Sequence, residues 1–229
     1  LHENSIPHLI IDVRNNPGGS DPTFEQPVMY LTERSFKENE KAHIIFDPQY
    51  TPFPEYFWGV TTTERIDEEF WKVVNEFLKE RYPVFDGEIS LQDQKFNPTY
   101  YPKKPQFNGN VYLLINENVG SASSHFASLV KGFVDNVIVV GVESVGGYYV
   151  HNGHVPFVYE LPHSKIKTQF SIVHVLQDAP QLADQPDGRG IIPDYEVWPT
   201  LSDYFEQKDT QMNFVLELIK ENHFVTQEK

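Results

Sequence analysis

A serine-rich junction between an apolar run and a helical pattern is the part of the sequence best suited to nucleophilic chemistry. Residues 116–124 read NENVGSASS and overlap the end of the apolar run VYLLINE, which is typical of a buried strand. A serine here holds its hydroxyl at a helix N-terminus, where backbone N–H groups and the helix dipole favour negative charge. Ser121 or Ser123 could equally cap the helix, so the junction alone leaves both interpretations open.

A pair of glycines ends another apolar run, near the start of the chain. Residues 9–19 read LIIDVRNNPGG, in which a β-branched strand pattern runs into two amides, a proline, and Gly18 and Gly19. One interpretation is a turn, because Asn, Pro and Gly are the usual turn residues. The other is a place for an anion or a developing oxyanion, since glycine exposes its backbone N–H without a side chain.

Other chemical patterns in the sequence are weaker. Ser128 and Lys131 match Ser-x-x-Lys, but the companion motifs of penicillin-binding proteins are missing and the pair lies inside a helical pattern. His151 and His154 could offer two metal ligands, yet no acidic partner has a recognisable spacing, so we expect a polar hairpin loop and no metal. The absence of a Gly-x-Ser-x-Gly elbow disfavours an α/β-hydrolase.

Hydrophobic periodicity predicts the elements that must position these residues. After the serine junction, Phe126, Leu129, Val130 and Phe133 recur at helical spacing, and a second buried strand follows over residues 136–144. Strand, helix and strand together predict a right-handed β-α-β unit with a parallel strand pair.

The rest of the sequence predicts two further helices, two strands and an irregular loop. Residues 67–81 predict a helix capped by Asp67, with an apolar stripe made of Phe70, Val73, Val74, Phe77 and Leu78. Residues 50–58, YTPFPEYFW, predict an irregular aromatic loop because prolines interrupt any strand pairing. We also predict strands over residues 157–161 and 165–175 and a helix over 210–222.

Composition excludes several classes of protein. The formal net charge of −15, without a cluster of Lys or Arg, argues against nucleic-acid binding. No apolar run approaches the ~20 residues that span a bilayer. The 229 residues can bury a substantial core, and the lack of cysteine excludes disulfides and thiolate metal sites.

Three of these stretches, in this order, resemble signatures of one family, the tail-specific or C-terminal-processing serine peptidases with their tricorn relatives. LIIDVRNNPGG is similar to the family's strand-and-glycine motif, and LLINENVGSASSHFA to its nucleophile strand and helix start. GRGIIPDYEV resembles its Gly-x-Gly and Pro-Asp strand. With the strand and loop VIVVGVESVGG, the resemblance covers residues 9–19 and 109–197.

The resemblance implies a role for five residues. Ser121 corresponds to the nucleophile, and the backbone N–H groups of Ala122, Gly18 and Gly19 correspond to the oxyanion hole. In the tricorn branch an acidic residue near the Pro-Asp strand assists the base, and its position falls near Asp187, which is equally a turn residue. No cofactor is expected.

Lysine does not supply an obvious general base. The lysine of the processing peptidases corresponds to Gly147, so the Ser-Lys dyad is absent. Lys131 lies about 15 Å from Ser121 along a helix, which is too far. Lys165 and Lys167, on a later strand, remain remote candidates for the general base.

Histidine is the base of the tricorn branch, supplied from before the glycine motif. The resemblance therefore implies a histidine upstream of this chain, or else His2 or His8. Glu143 could alternatively orient a base.

The resemblance also implies an α/β fold, a crotonase/Clp-protease-like spiral of β-β-α units with a long lid-like insertion. Residues 1–29 and 106–229 are expected to form the peptidase core, whose N-terminal part we expect upstream of this chain. Residues 30–105 are expected to form the insertion.

The implied function is a serine endopeptidase that cleaves unfolded or C-terminal peptide segments through an acyl-enzyme on Ser121. The alternative is a non-catalytic peptide- or small-ligand-binding member of the same fold, like the retinoid-binding relatives, which the missing lysine allows. The expected partner is a peptide or unfolded protein, with no nucleic acid and no membrane span. From the family we expect a cell-envelope, periplasmic or extracellular location, reached through a leader outside this chain.

Overall fold

The computed structural model describes residues 6–19, 23–61 and 63–221, which divide into two compact units. Unit 1 comprises Leu1–Phe36, Thr99–Tyr149 and Ala179–Lys229, and unit 2 comprises Lys37–Pro98 and Val150–Asp178. Each unit has its own hydrophobic core.

Short strands and a few helices make up both units. In the described part of the chain, the strands are β1 (His8–Asp12), β2 (Asn39–Ile44), β3 (Phe57–Gly59), β4 (Val84–Phe85), β5 (Ser90–Leu91), β6 (Asn110–Ile115), β7 (Val137–Gly141), β8 (Val150–His151), β9 (Pro156–Glu160), β10 (Lys167–Ser171), β11 (Val173–Gln177) and β12 (Tyr195–Glu196). The helices there are α1 (Glu25–Leu31), α2 (Glu68–Arg81), α3 (Ala122–Phe133), α4 (Leu201–Phe205) and α5 (Thr210–Lys220).

Unit 1 is built on a parallel sheet with the strand order β1-β6-β7-β12. The predicted strand–helix–strand unit is present, because β6, α3 and β7 follow one another and β6 pairs with β7 in parallel. Parallel strands end at the same edge of a sheet, so the loops that follow β1 and β6 lie side by side. These are the loops that carry the glycine pair and the serine junction.

The sheet of unit 1 is covered on both faces. Val111, Leu113 and Ile115 of β6 pack in one core with α1 and α3, whereas Tyr112 and Leu114 pack in a second core with α5. A strand buried on both faces requires apolar residues at every position, which explains the continuous apolar run of β6.

Arg14 ties the end of β1 to the start of α5. Its guanidinium donates to Asp12 Oδ1 and Oδ2 at 2.9 and 2.6 Å and to Asp209 Oδ1 and Oδ2, both at 2.7 Å. Asp209 is also the N-cap of α5, since its Oδ1 accepts from the backbone N–H of Met212. These hydrogen bonds from Arg14 hold the pKa of both carboxyls below its ordinary value.

Arg14→Met should lower the free energy of unfolding by about 2 kcal/mol, because it leaves two carboxylates without their charged donor. The control is Lys208→Met, which removes a pair with Glu206 in which both side chains are more than half exposed. That change should stay within about 0.5 kcal/mol. Urea unfolding followed by circular dichroism measures both, and equal effects of the two variants would contradict this role of Arg14.

Unit 2 consists of two antiparallel sheets and α2. One sheet has the order β10-β9-β3 and the other the order β4-β5-β2-β11-β8. Their apolar faces and α2 enclose a core made of Ala42, Ile44, Phe57, Val74, Leu78, Tyr82, Phe157, Val173 and Val175.

The predicted helix at residues 67–81 is confirmed, with one change to its apolar stripe. Asp67 is the N-cap, and its Oδ1 accepts from the backbone N–H of Phe70 at 2.7 Å. Val74 and Leu78 are buried in the core of unit 2. The other members of the predicted stripe remain exposed: Phe70, Val73 and Phe77.

Two predictions in unit 2, one of a strand and one of a loop, were wrong in detail. The single strand expected over residues 165–175 is two strands, since the chain leaves one sheet after β10 and enters the other at β11. The aromatic stretch 50–58, expected as an irregular loop, contains a 3-10 turn at Pro54–Tyr56 and then β3, which pairs with β9. Pro52 and Pro54 both precede β3, so they do not interrupt its pairing.

The bounds of unit 2 differ from those expected for the insertion. Most of unit 2 lies within residues 30–105, but Val150–Asp178 also belongs to it. The cause is long-range antiparallel pairing, because β9 pairs with β3 and β11 pairs with β2. Whether unit 2 acts as a lid stays a prediction.

Candidate active site

The loops after β1 and β6 contact each other through their backbones. The N–H of Val13 donates to the carbonyl of Leu114 at 3.1 Å, which extends the pairing of the two strands. Further along, the N–H of Gly120 donates to the carbonyl of Asn16 at 3.2 Å. The sequence around the glycine pair therefore lies beside the residue that precedes Ser121.

Three asparagine side chains fix these two loops together. Asn15 has a left-handed backbone, with φ of 59°, and its N–H donates to Asn116 Oδ1 at 2.9 Å. In return, the amide groups of Asn116 and Asn118 donate to Asn15 Oδ1 at 2.9 and 3.0 Å. Asparagine suits both tasks, because it tolerates positive φ and its amide both donates and accepts.

Ser121 is exposed and has a strained backbone at the start of α3. Its φ and ψ are 50° and −130°, a conformation that residues other than glycine rarely adopt. The residue occupies the N-cap position, but its side chain accepts no hydrogen bond from the helix. The simple capping interpretation of Ser121 therefore finds no support in the geometry.

The neighbouring serines differ from Ser121 in their surroundings. Ser124 is buried, and its hydroxyl donates to the carbonyl of Ser121 at 2.8 Å. Ser123 is buried as well, and its hydroxyl has no hydrogen-bond partner among the described residues. Ser121 is thus the exposed hydroxyl of this group.

Gly18 lies against Ser121 so closely that only glycine fits. Its φ is +104°, and a Cβ at this position would be 2.5 Å from the Cβ of Ser121 and 3.0 Å from the backbone N of Ala122. Its own N–H donates to Asn16 Oδ1 at 2.9 Å. Gly18 therefore supplies space beside the serine, while its N–H is already engaged.

Gly19 and Ala122 present backbone N–H groups near the same place. Gly19 is exposed, and a Cβ there would meet no atom within 4 Å. Ala122 is the first residue of α3, where a backbone N–H has no partner within the helix and the helix dipole is positive. In the part of the chain that the structure describes, neither N–H has an acceptor.

The loop after β7 and the Gly188–Val197 motif complete the edge of the sheet. The N–H of Gly146 donates to the carbonyl of Val119 at 3.0 Å, and a Cβ on Gly146 would overlap the side chain of Ser124. Gly147 and Gly190 form an isolated β-bridge. The four stretches of sequence that carried the family resemblance thus follow the strand order of unit 1.

Glu143 is engaged in an ion pair. Its carboxylate accepts from Nε and Nη2 of Arg189, the first at 2.9 Å, and from the backbone N–H of Gly190 at 2.8 Å. The hydrogen bond from Arg189 holds the pKa of Glu143 below its ordinary value. Glu143 therefore fixes the Gly188–Val197 motif to the loop after β7.

The remaining candidate bases lie in different surroundings. His8 is at the start of β1, about 13 Å along the strand from its end, and its Nδ1 is 3.4 Å from Asn110 Nδ2. Lys131 is buried and donates to the carbonyl of Ile192 at 2.6 Å. His2 lies outside the described residues.

Asp187 and the two later lysines also have identifiable positions. Asp187 is exposed in a turn and, within the described ranges, makes no hydrogen bond or ion pair. Lys165 pairs with Glu160 at 3.3 Å, and Lys167 places its Nζ 3.5 Å from the centre of the Trp58 ring. Both lysines belong to unit 2.

His125, which the sequence analysis does not single out, follows Ser121 by four residues and lies in the first turn of α3. The ring of His125 is buried against Phe24, with 4.9 Å between the ring centres. The signal that could have drawn attention to it is its spacing of four residues from Ser121.

Comparison with known proteins identifies the family. The model of peptidase family S41 matches residues 1–197, and the chain belongs to this family. This membership confirms the resemblance and the α/β, Clp-protease-like fold that it implied. No curated protein matches the chain.

Solved structures share the fold. A candidate peptidase from Parabacteroides merdae is 20% identical, with a TM-score of 0.58 over 95% of this chain and 53% of the other. Mature CPAF, in complex with lactacystin, is 19% identical, with a TM-score of 0.55 over 94% of this chain and 45% of the other. The chain thus spans about half the length of these two proteins.

Neither a membrane helix nor a metal cluster is present in the described ranges. No helix there is long and apolar enough to cross a bilayer. The same ranges contain no group of three or more His, Cys, Asp or Glu side chains suited to hold a metal ion.

Proposed function

We propose that this chain carries the nucleophile and the oxyanion donors of a serine endopeptidase that acts on unfolded or C-terminal peptide segments. The observation that carries the proposal is Ser121, an exposed hydroxyl on a strained backbone beside Gly18 and the first N–H of α3. Strained residues persist where the surrounding structure holds them for a purpose, and nucleophiles at strand-to-helix turns are one such case. Membership of a peptidase family supports the same conclusion.

The reaction follows from these groups. Ser121 Oγ attacks the peptide carbonyl carbon and loses its proton to a base, which later protonates the leaving amine. An ester forms between Ser121 and the acyl group, and water then hydrolyses it. The N–H groups of Gly19 and Ala122 donate to the carbonyl oxygen as it becomes negative.

Gly18 has a separate part in this proposal. Because its N–H donates to Asn16 Oδ1, we assign to Gly18 the space that a carbonyl oxygen and Ser121 need, and the donor role to Gly19. The two glycines of the motif therefore have different roles, one steric and the other as a hydrogen-bond donor.

The general base and its acidic partner stay predictions. His8 at the far end of β1 and Lys131 in a buried ion pair are poorly placed for the task, which favours a histidine from outside the described residues. Asp187 is exposed and has no described partner, so it is available to orient such a histidine. Export to the cell envelope or beyond is part of the same proposal.

A non-catalytic binding protein is the second candidate, favoured by one observation. Gly147 occupies the position at which the processing peptidases have their lysine. In that case the site binds a peptide without cleaving it.

Gly18→Ala tests the proposed site, because its added methyl group must displace Ser121. We expect kcat/KM for an unstructured fluorogenic peptide to fall by about 10²-fold, since a shift of about 1 Å in a reacting group has such a cost. Gly19→Ala keeps its N–H, and the added Cβ meets no atom within 4 Å. The loss of kcat/KM in this variant should therefore be at least about tenfold smaller than in Gly18→Ala. Both are measured in the full-length protein, and equal losses would contradict the proposed division of roles.

A further inference from the structure

Unit 2 contains a cavity of about 570 Å³ that the proposed peptidase chemistry does not use. It lies where the chain passes from β10 into β11, so that Ser171, Ile172 and Val173 form one side of it. Its volume is within the range of small-molecule sites in proteins. We call this cavity the aromatic pocket.

Aromatic rings form much of the wall of the aromatic pocket. Phe157 is fully buried at its inner side. Tyr159 and Phe170 stack with ring centres 5.7 Å apart and an angle of 6° between their planes, so their rings are held nearly parallel. The aromatic residues that line it are Phe46, Phe53, Phe157, Tyr159 and Phe170.

The rim of the pocket is apolar, exposed and strained. The exposed fractions of Ile45 and Phe53 are 75% and 68%. Phe53 has a left-handed backbone, with φ of 48°, which is a rare conformation for a bulky residue. The hydroxyl of Tyr159 donates to the carbonyl of Pro52 at 2.7 Å and so holds this strained segment in place. Strain of this kind is concentrated at ligand clamps and active sites.

The pocket carries no fixed charge. Its described lining contains no Asp, Glu, Lys or Arg, although the chain has 33 acidic and 18 basic residues. Its polar side chains are Asn152, Tyr159, Ser171 and His174. The hydroxyls of Tyr159 and Ser171 already donate to the carbonyls of Pro52 and Gly153. A charged ligand would lose its hydration here without a counter-ion, whereas an uncharged ring would gain stacking contacts.

We propose that the aromatic pocket of unit 2 binds an uncharged aromatic small molecule. The parallel rings of Tyr159 and Phe170 offer stacking contacts to its ring, and a described lining without Asp, Glu, Lys or Arg selects against charged ligands. Binding is independent of Ser121, which belongs to unit 1.

Two probes with the same rings test this proposal in the full-length protein at pH 8. N-phenyl-1-naphthylamine is uncharged, and 8-anilinonaphthalene-1-sulfonate adds a sulfonate to the same skeleton. We expect saturable fluorescence with the neutral probe at one molecule per chain, and at least about tenfold weaker binding of the sulfonate. Equal affinity of the two probes, or fluorescence that does not saturate, would overturn the proposal.

Matched variants locate the probe. Phe170→Asp places a carboxylate in the wall and should weaken binding of the neutral probe at least about tenfold. Phe85→Asp, at an exposed apolar residue of unit 2 outside the pocket, should bind as the wild type does. Ile45→Asp replaces the first variant if circular dichroism shows that Phe170→Asp is unfolded. Unchanged binding in the pocket variant would place the probe elsewhere and refute the assignment.

The same experiment separates this pocket from the peptidase site. Ser121→Ala should bind the neutral probe with wild-type affinity. Loss of binding in Ser121→Ala would contradict the proposal, whatever the peptidase activity of the protein.

Discussion

Ser121→Ala should lower the rate of peptide hydrolysis by the full-length protein by at least about 10⁴-fold, because removal of the nucleophile leaves only the oxyanion donors. The measurement is kcat for an unstructured fluorogenic peptide under saturating conditions. The Michaelis constant should change little, since Ser121 forms its bond only during the reaction.

Ser123→Ala is the matched control, two residues further along the chain. Its hydroxyl is buried and has no described partner, so the change should alter kcat by less than about threefold. A Ser121→Ala protein that keeps a tenth or more of its activity would show that another group is the nucleophile.

Lowering the pH from 7 to 4 should destabilise unit 2 by several kcal/mol, because two neighbouring histidines are held neutral there. His151 and His154 have ring centres 5.8 Å apart. Burial, with the nearby His154 and His174, lowers the pKa of His151 to about 4. Burial, with the nearby Arg81, lowers the pKa of His154 to about 4.

The direction of the effect follows from proton uptake on unfolding. An unfolded histidine has a pKa of about 6.5, so between about pH 6.5 and 4 the unfolded state binds more protons than the folded state. The stability that these rings contribute is complete above pH 6.5 and is lost as the pH falls towards 4. The difference between the unfolded and the folded pKa contributes about 3 kcal/mol to the free energy of unfolding for each ring.

Urea unfolding between pH 7.5 and 4.5 measures this loss. His151→Phe keeps a ring without a charge, and His154→Asn suits the positive φ of 72° at that position. The double variant should show a flatter dependence on pH, whereas His163→Gln, at an exposed histidine of the same unit, should follow the wild type. A wild-type protein equally stable at pH 7 and 5 would contradict the account.

Local sequence patterns predicted β1, β6, α3, β7 and α5 of unit 1, but they predicted neither the short helices α1 and α4 nor the division of the chain. β6, α3 and β7 have strong and distinct periods, and burial on both faces makes the strand pattern continuous. The pairing of β11 with β2 joins residues more than 120 positions apart, and no local pattern shows it. For the same reason the local pattern over residues 165–175 predicts a single strand and does not show the break at Ile172, where the chain changes sheets.

The sequence likewise predicts only part of the candidate site. Residue types and spacing are enough to single out Ser121 and the glycine pair. They did not show that the N–H of Gly18 is engaged by Asn16, or that Asn15 links the two loops. Those features depend on side-chain directions and on the positive φ of Asn15 and Gly18, which the order of residues does not specify.

Reaction with a fluorophosphonate tests the central claim most directly. An activated serine displaces fluoride from phosphorus and keeps the phosphonyl group, so mass spectrometry of a digest locates the reactive residue. In the full-length protein we expect one adduct per chain, on Ser121, and none on the Ser121→Ala variant. An adduct on another residue, or a folded full-length protein that does not react at all, would contradict the assignment of Ser121 as the nucleophile.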